Sequence, residues 1–532
     1  MQWKKNYPPQ VDWEIDIPEK TMVDIFYEAL GSSPSQIALI QNQHSITYEQ
    51  FGKDVFKLAN QLQKDGIKKG DRVGLMMNNS IEYVISFYAA LIIGAIIVQN
   101  NTQYSKRELY YQLNNTATST LIIDESLLSE FKDLHNETTV KKVYVHMADE
   151  SVPYSLGYIL KHGIPSIERA ILNPKEDVAV IQFTGGTTGV SKGVMLTHFN
   201  IFSNVVQTHR YLGINMQKNK EKLLNVLPLF HVYGMTVSMN YMIYLHSTMV
   251  IMRKFSSTET LDIIHNKRIS MFPGTPTIYV GVNHHPEIKK YDLTSIHTCI
   301  SGSSPLPIEV KNQFEQITGA KVVDAYGLSE ASPVAHSNPV NGERKPGSIG
   351  QPIPNTNCKI VSIVDGVTEC GLNETGELVI KGPQVMKGYW EMPEETTNVL
   401  RDGWLYTGDL AYMDEQGYFF LVSRKKDVII SGGFNIYPRE VEEVVFNHPA
   451  VKEVIAIGIP HAYRGETVKI FVVLVEGKSS TEEEIISYCH GKLAKYKLPT
   501  QVEFRDELPK TAVGKILRRT LVEEEQRKIF IK

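Results

Sequence analysis

Cysteine is scarce: four in 532 residues, at positions 299, 358, 370 and 489, with no C-x-x-C pair. That spacing implies neither a zinc site nor a disulfide framework, and reduced cysteines fit a cytoplasmic protein. An excess of positive charge is also missing, because 55 Lys and Arg stand against 59 Asp and Glu, a formal net charge of -4. A dedicated nucleic-acid binder is therefore disfavoured and no steering field arises. No apolar run reaches the ~20 residues of a membrane span. The nearest, Val84 to Val98, is interrupted at Gly94 and reads as a buried helix followed by a buried strand. The N-terminus carries Trp3, Lys4 and Lys5, then Asp12, Glu14 and Asp16, without the apolar core of a signal peptide. Internal repeats and low-complexity tracts are absent too.

What is present points to a multi-domain α/β protein. The length exceeds what one core organises. From Thr47 a helix places Phe51, Val55, Leu58, Ala59 and Leu62 on one face and ends at Gly66. Asp71–Met77 reads as a strand, Asn79 and Ser80 as caps of the next helix, and Ala95–Val98 as another strand. This alternation predicts a mostly parallel sheet, and it returns near 249–252, 298–300 and 322–323. From about Asn338 prolines and glycines punctuate short strands, which predicts an antiparallel or barrel-like subdomain over 338–423. Beyond the charged segment Ser423–Asp427 the pattern becomes compact α+β, with a capping box at Thr481 and Glu484. The expected organisation is a large lobe, 1–425, and a small C-terminal lobe, 426–532.

The most chemically loaded stretch is Phe183 to Met195. A buried-strand pattern, Asp177–Phe183, opens into a loop with four glycines, three threonines and one lysine, Lys192. Glycine lets backbone N–H groups approach a polyanion, and the lysine adds a point charge suited to phosphate. A Walker A loop is excluded, because Lys192 is preceded by Ser191 and followed by Gly193. Taken alone the loop reads equally well as an ordinary Gly/Thr turn.

Further segments change that balance by their order: Pro228–His231, Ser301–Pro305, Asp324–Glu330, Trp404–Asp409, Ser423–Asp427 and Pro509–Lys515. With the loop, they resemble the adenylate-forming superfamily of acyl- and aryl-CoA synthetases, peptide-synthetase adenylation domains and firefly luciferase. Val385–Trp390 and Gly432–Glu442 look most like bacterial medium- to long-chain fatty acid–CoA ligases. The likeness spans nearly the whole chain. Two departures are Gly185, commonly Ser in the family, and Ser191, commonly Pro; both are expected to loosen the loop.

The resemblance implies ATP, Mg2+ and coenzyme A, and assigns roles. Thr184, Gly185, Gly186, Thr187, Thr188, Gly189 and Lys192 would hold phosphates, with Thr184 and Glu330 near the metal. Gly302, Ser303, Asp324, Tyr326, Gly327, Leu328 and Ser329 would surround the base, and Asp409 with Arg424 the ribose. Lys515 would bridge carboxylate and phosphate during adenylation. His231 would position the acid, beside an acyl pocket of Tyr233, Gly234 and Met235. Ser431, Gly432 and Gly433 would face coenzyme A after rotation about a hinge at Lys426. For each, a bland structural role competes: Tyr326 as a core aromatic, Gly302 as a turn, Glu330 as a surface acid, residues 424–427 as a solvated linker.

The expected activity is ATP-dependent activation of a medium- to long-chain fatty acid to acyl-AMP, then transfer to coenzyme A. An aryl-acid or amino-acid adenylating ligase is the rival within the superfamily, and a non-catalytic acyl-binding relative the rival outside it. The pocket segments contain no lone acid to pair with an amino acid's ammonium, which weakens the peptide-synthetase alternative. No lipid anchor is visible in the sequence, although transient contact with a membrane surface suits a lipid-handling enzyme. Monomer and homodimer both stay open.

Overall fold

The computed structural model describes residues 2–147, 149–184, 191–213, 215–461, 463–512 and 514–530. Packing divides the chain into two compact units: Trp3–Asn357 with Lys381–Leu405, and Cys358–Ile380 with Tyr406 onward. Of the β-rich segment expected over 338–423, residues 338–357 and 381–405 group with the first unit and the rest with the second. Packing and pivoting are different properties, so this division is distinct from a hinge at 426.

The first unit holds a seven-stranded sheet. Its order is Gly388–Tyr389, Lys192–Thr197, Val178–Thr184, Ile96–Gln99, Arg72–Met76, Thr120–Asp124, Lys142–His146. The last five are mutually parallel and the first two antiparallel additions. Val73, Leu75, Ile97, Val98, Leu121, Ile122, Val180 and Ile181 are wholly buried, as parallel strands covered on both faces require. Helix Tyr48–Lys64 buries the predicted face of Phe51, Val55, Leu58, Ala59 and Leu62. Helix Ile81–Ile92 is buried at every position but Glu82, and the Ser80 hydroxyl caps it by accepting from Tyr83 N–H at 3.0 Å. Gly94, at φ +79°, turns the chain into Ile96–Gln99. Val84–Val98 is therefore helix then strand, as its periodicity predicts. No helix among the described residues is long and apolar enough to cross a membrane.

Two further sheets in this unit carry candidate site segments at their ends. One runs His44–Thr47, Ile37–Gln41, Thr248–Ile251, Lys222–Asn225; the other Thr298–Ser301, Lys321–Gly327, Val334–Ser337, Gln351–Pro352. Met271 bridges to Leu223 and to Thr298, joining them.

Trp404–Met413, which enters the second unit at Tyr406, pairs antiparallel with Phe419–Arg424 in a sheet that also includes Asn357–Val361 and Gly376–Lys381. The α+β pattern beyond 427 is present as expected. A long hairpin of Val451–His461 and Gly465–Leu474 is flanked by Ile429–Ser431, Phe434–Ile436 and the parallel strand Gln501–Phe504. Helix Pro438–Phe446 buries Val441 and Val445, and the Thr481/Glu484 capping box starts helix Glu482–Cys489. Overall this is a mixed α/β protein with a small C-terminal α+β domain.

Candidate active site

Gly185, Gly186, Thr187, Thr188 and Gly189 lie outside the described residues; the stems on either side do not. Thr184 and Lys192 are partners across the antiparallel pair. The Ser191 hydroxyl donates to the Thr184 carbonyl at 2.7 Å. This bond ties the two stems, offsetting the looseness expected where serine replaces proline. Lys192 is largely buried, with 12% of its side chain exposed. Its ammonium pairs with the Glu395 carboxylate and sits 5.0 Å from the centre of the Tyr389 ring. The Tyr389 hydroxyl donates to Glu330 Oε1 at 2.9 Å. Burial and the adjacent Glu330 carboxylate push that hydroxyl's pKa up, so it stays a donor. Strand Gly388–Tyr389, zipped onto Lys192–Thr197, brings this group together.

Among the described residues, no group of three or more His, Cys, Asp or Glu could hold a metal ion unaided. The donors at hand, the Glu330 carboxylate and the Thr184 hydroxyl, are hard oxygens. They fit magnesium, which takes few protein oxygens and completes its shell with phosphate and water.

The Asp324–Ser329 segment is tightly determined. A Cβ on Gly327 would meet the Pro333 carbonyl oxygen at 2.4 Å, and that same oxygen accepts Leu328 N–H at 3.0 Å. Glycine is thus required there for packing. Tyr326 is buried and stands 5.8 Å from the His336 ring. Burial lowers the His336 pKa to about 3, so this neighbour is neutral. The Asp324 carboxylate is engaged by Lys311 at 2.8 Å, a partner that the sequence motif does not reveal. Ser303 takes φ +73°, and Ser329 opens the short turn carrying Glu330. Gly302 lies against Tyr233, whose ring would be 3.2 Å from an added Cβ.

Tyr233 in turn donates its hydroxyl to the Ile300 carbonyl at 2.7 Å, fixing its own segment to the strand that leads into Gly302. His231 Nδ1 accepts Tyr233 N–H at 3.2 Å, so the proton of the neutral ring resides on Nε2. A Cβ on Gly234 would stand 2.3 Å from the Pro228 carbonyl oxygen. Gly234–Asn240 is a π-helix, a wide-turn geometry common at functional sites, and its Met235 and Met239 are fully buried. Gln99 reaches the Met235 sulfur at 3.5 Å and accepts from the Tyr83 hydroxyl.

The second unit gathers another group. Asp409 and Arg424 are register partners, with Asp409 Oδ1 3.4 Å from Arg424 Nε. Gly408 at φ +72° makes the turn before Asp409, whose N–H donates to Thr407 Oγ1 at 3.1 Å. Lys515 is held by its N–H donating to Thr511 Oγ1 at 3.1 Å. The Arg424 guanidinium beside Lys515 depresses its pKa to about 8, with desolvation acting in the same direction and Asp409 and Asp427 opposing. Lys426 lies in the short turn Lys425–Asp427. Ser431 is buried, and Gly432 and Gly433, at φ +58° and +85°, form the hairpin tip. Positive φ at both central residues is the two-residue turn that matches strand twist, so glycine is needed there.

A model for the AMP-binding enzyme family matches residues 26–390, and one for the AMP-binding enzyme C-terminal domain matches residues 440–515. The chain belongs to the AMP-binding enzyme family. The long-chain-fatty-acid–CoA ligase of Bacillus subtilis is 45% identical, with 100% of this chain and 99% of that protein aligned. That of Escherichia coli O6:H1 is 35% identical over 99% of each. Among solved structures, ATP-bound MatB from Rhodopseudomonas palustris matches with a TM-score of 0.86 at 30% identity, covering 94% of this chain and 98% of that one. The anthranilate CoA ligase AuaEII with anthranoyl-AMP gives 0.88 at 26% identity, covering 96% and 98%.

This AMP-binding enzyme also has site neighbours that motif reading missed. Tyr389 and Glu395 lie far along the chain from Lys192, and no local pattern links them. Glu377 does similar work in the second unit: its carboxylate accepts Gly408 N–H at 3.1 Å and pairs with Lys425 at 2.9 Å.

Proposed function

We propose that this AMP-binding enzyme is an AMP-forming fatty acyl-CoA synthetase acting on medium- to long-chain acids. The observation that carries the substrate class is its 45% identity, over the whole chain, to a long-chain-fatty-acid–CoA ligase. A fatty carboxylate is already ionised near neutral pH, so no general base is needed. One carboxylate oxygen attacks the α-phosphorus of ATP, and the bond to the bridging oxygen of pyrophosphate breaks. The thiol of coenzyme A then attacks the acyl carbon, AMP departs with the electron pair of the C–O bond, and the thiol proton passes to solvent.

Two anions must meet in the first step, so the protein's contribution is charge placement. Lys192 holds the departing phosphates. Asp409 accepts from the ribose hydroxyls, with Arg424 orienting it, and Lys515 neutralises charge between carboxylate and α-phosphate. His231 offers its Nε2–H toward the acid and positions it without taking a proton. Magnesium, when bound by the phosphates with Glu330 and Thr184, supplies charge neutralisation. Burial of the alkyl chain is worth about 0.8 kcal/mol per CH2, so an apolar pocket at Tyr233–Met239 favours long chains.

The decisive measurement is AMP and pyrophosphate release across fatty, aromatic and amino acids, with and without coenzyme A. Fatty acids of medium to long chain should be preferred, with acyl-CoA formed only when the thiol is present. Failure to form AMP with any acid would overturn the proposal. A second expectation concerns pH. Only the Lys515 ammonium is competent, and that charge is lost as pH rises through about 8. kcat/KM for ATP in acyl-adenylate formation should therefore fall above pH 8. In Lys515→Arg, whose group stays charged, this limb should be absent.

A further inference from the structure

Lys192 already has an anion. The Glu395 carboxylate occupies its ammonium, and 40% of the Glu395 side chain remains exposed to solvent. Glu395 is not there by the chance wandering of a surface side chain. Its helix, Pro393–Val399, starts with proline at the first turn. The next residue, Thr396, fastens that helix: its hydroxyl accepts Tyr389 N–H and donates to the Met392 carbonyl, both at 2.9 Å. Tyr389 lies in the strand that pairs with Lys192–Thr197, opposite Val194. The carboxylate is thereby delivered to the lysine by the same strand whose tyrosine ring underlies the ammonium.

Resting on the reading of Lys192 as the phosphate lysine, we propose that Glu395 is a positioning residue that stands in for phosphate. It holds Lys192 extended toward the loop stem between turnovers, and the β- and γ-phosphates of ATP displace it. When pyrophosphate departs, the carboxylate returns to the ammonium and competes against rebinding. An ammonium left without a partner in a largely buried position would be costly, so the pair keeps the site ordered before nucleotide arrives. A polyphosphate outcompetes one carboxylate because it brings more charge to the same cation. The Tyr389 hydroxyl on Glu330 couples the exchange to the acid assigned to the metal.

The competition predicts its own signature. In Glu395→Gln, KM for ATP and the inhibition constant of pyrophosphate should both fall by about two- to fivefold, the scale of losing one partly exposed ion-pair competitor. kcat should not rise. AMP affinity should be unchanged, since AMP lacks the phosphates that displace Glu395. Glu395→Asp, which keeps the charge, should return both constants toward those of the parent protein. A purely structural Glu395 would instead give Gln and Asp variants with raised KM and lowered melting temperature, and that result overturns the proposal, as does an unchanged pyrophosphate constant in Glu395→Gln. Lys192→Ala, measured in parallel, separates the two layers. A KM for ATP unaffected by Lys192→Ala would remove the phosphate reading itself; a raised KM with a silent Glu395→Gln would remove only the stand-in.

Discussion

Replacing Lys515 with alanine should lower acyl-adenylate formation by about 10²–10³, the usual magnitude for removing one preorganised charge from a developing-charge site. The same variant should convert supplied acyl adenylate to acyl-CoA at close to the parent rate. The asymmetry follows from chemistry. Carboxylate attack on the α-phosphorus forces negative charges together, whereas thiol attack on the adenylate releases AMP and needs no such bridge. Lys515 is suited to the first task because Arg424 and Asp409, assigned to the ribose, are its electrostatic neighbours in the same unit. Thr511 fixes the backbone from which it projects. Pyrophosphate exchange reads the first half-reaction and single-turnover thioester formation the second. Equal loss of both would refute the division of labour between Lys515 and the Ser431–Gly433 hairpin.

Much of this was legible in the sequence because the informative residues are contiguous. Val84–Val98 declares helix then strand through Gly94, and the Thr481/Glu484 capping box declares the start of helix Glu482–Cys489. Family membership was legible for the same reason: each motif is a short run, and the order of runs is a one-dimensional property. What sequence reading could not supply is pairing over long separations. Lys192 and Glu395 are 203 positions apart, and Tyr389 and Glu330 are 59 apart. Such partners are set by strand order, which places Gly388–Tyr389 at the edge beside Lys192–Thr197, and nothing in either segment names the other. The partial commitment of Asp324 to Lys311 was hidden similarly, behind a motif that suggested only a ligand. The π-helix at Gly234–Asn240 begins at a close approach of Gly234 to the Pro228 carbonyl, which hydrophobic periodicity does not encode.

Lys426→Pro should leave adenylation largely intact and slow thioester formation by about 10², the cost of presenting a reacting group about an ångström out of place. The expectation comes from anchors on either side of the residue. Before it, the Lys425 ammonium is tied at 2.9 Å to Glu377, which also accepts Gly408 N–H in the turn that presents Asp409. After it, Asp427 accepts from Arg518 at 2.6 Å, and Arg518 also donates to Glu442 and, at 3.0 Å, to the Ala456 carbonyl. One flank is thus fixed to the sheet holding Asp409, the proposed ribose acid, and the other to the core of the C-terminal α+β fold. Any swivel that brings the Ser431–Gly433 hairpin forward must concentrate its dihedral change between these anchors, as hinges do. Proline pins φ near −65° and restricts the residue before it, blocking such a change while remaining compatible with a single tight turn. Lys426→Ala removes the charge but keeps the dihedral freedom, so it should sustain both half-reactions. Normal overall turnover in the proline variant would mean that the chain pivots elsewhere. An equal slowing by alanine would assign the effect to the lost ammonium and not to the backbone.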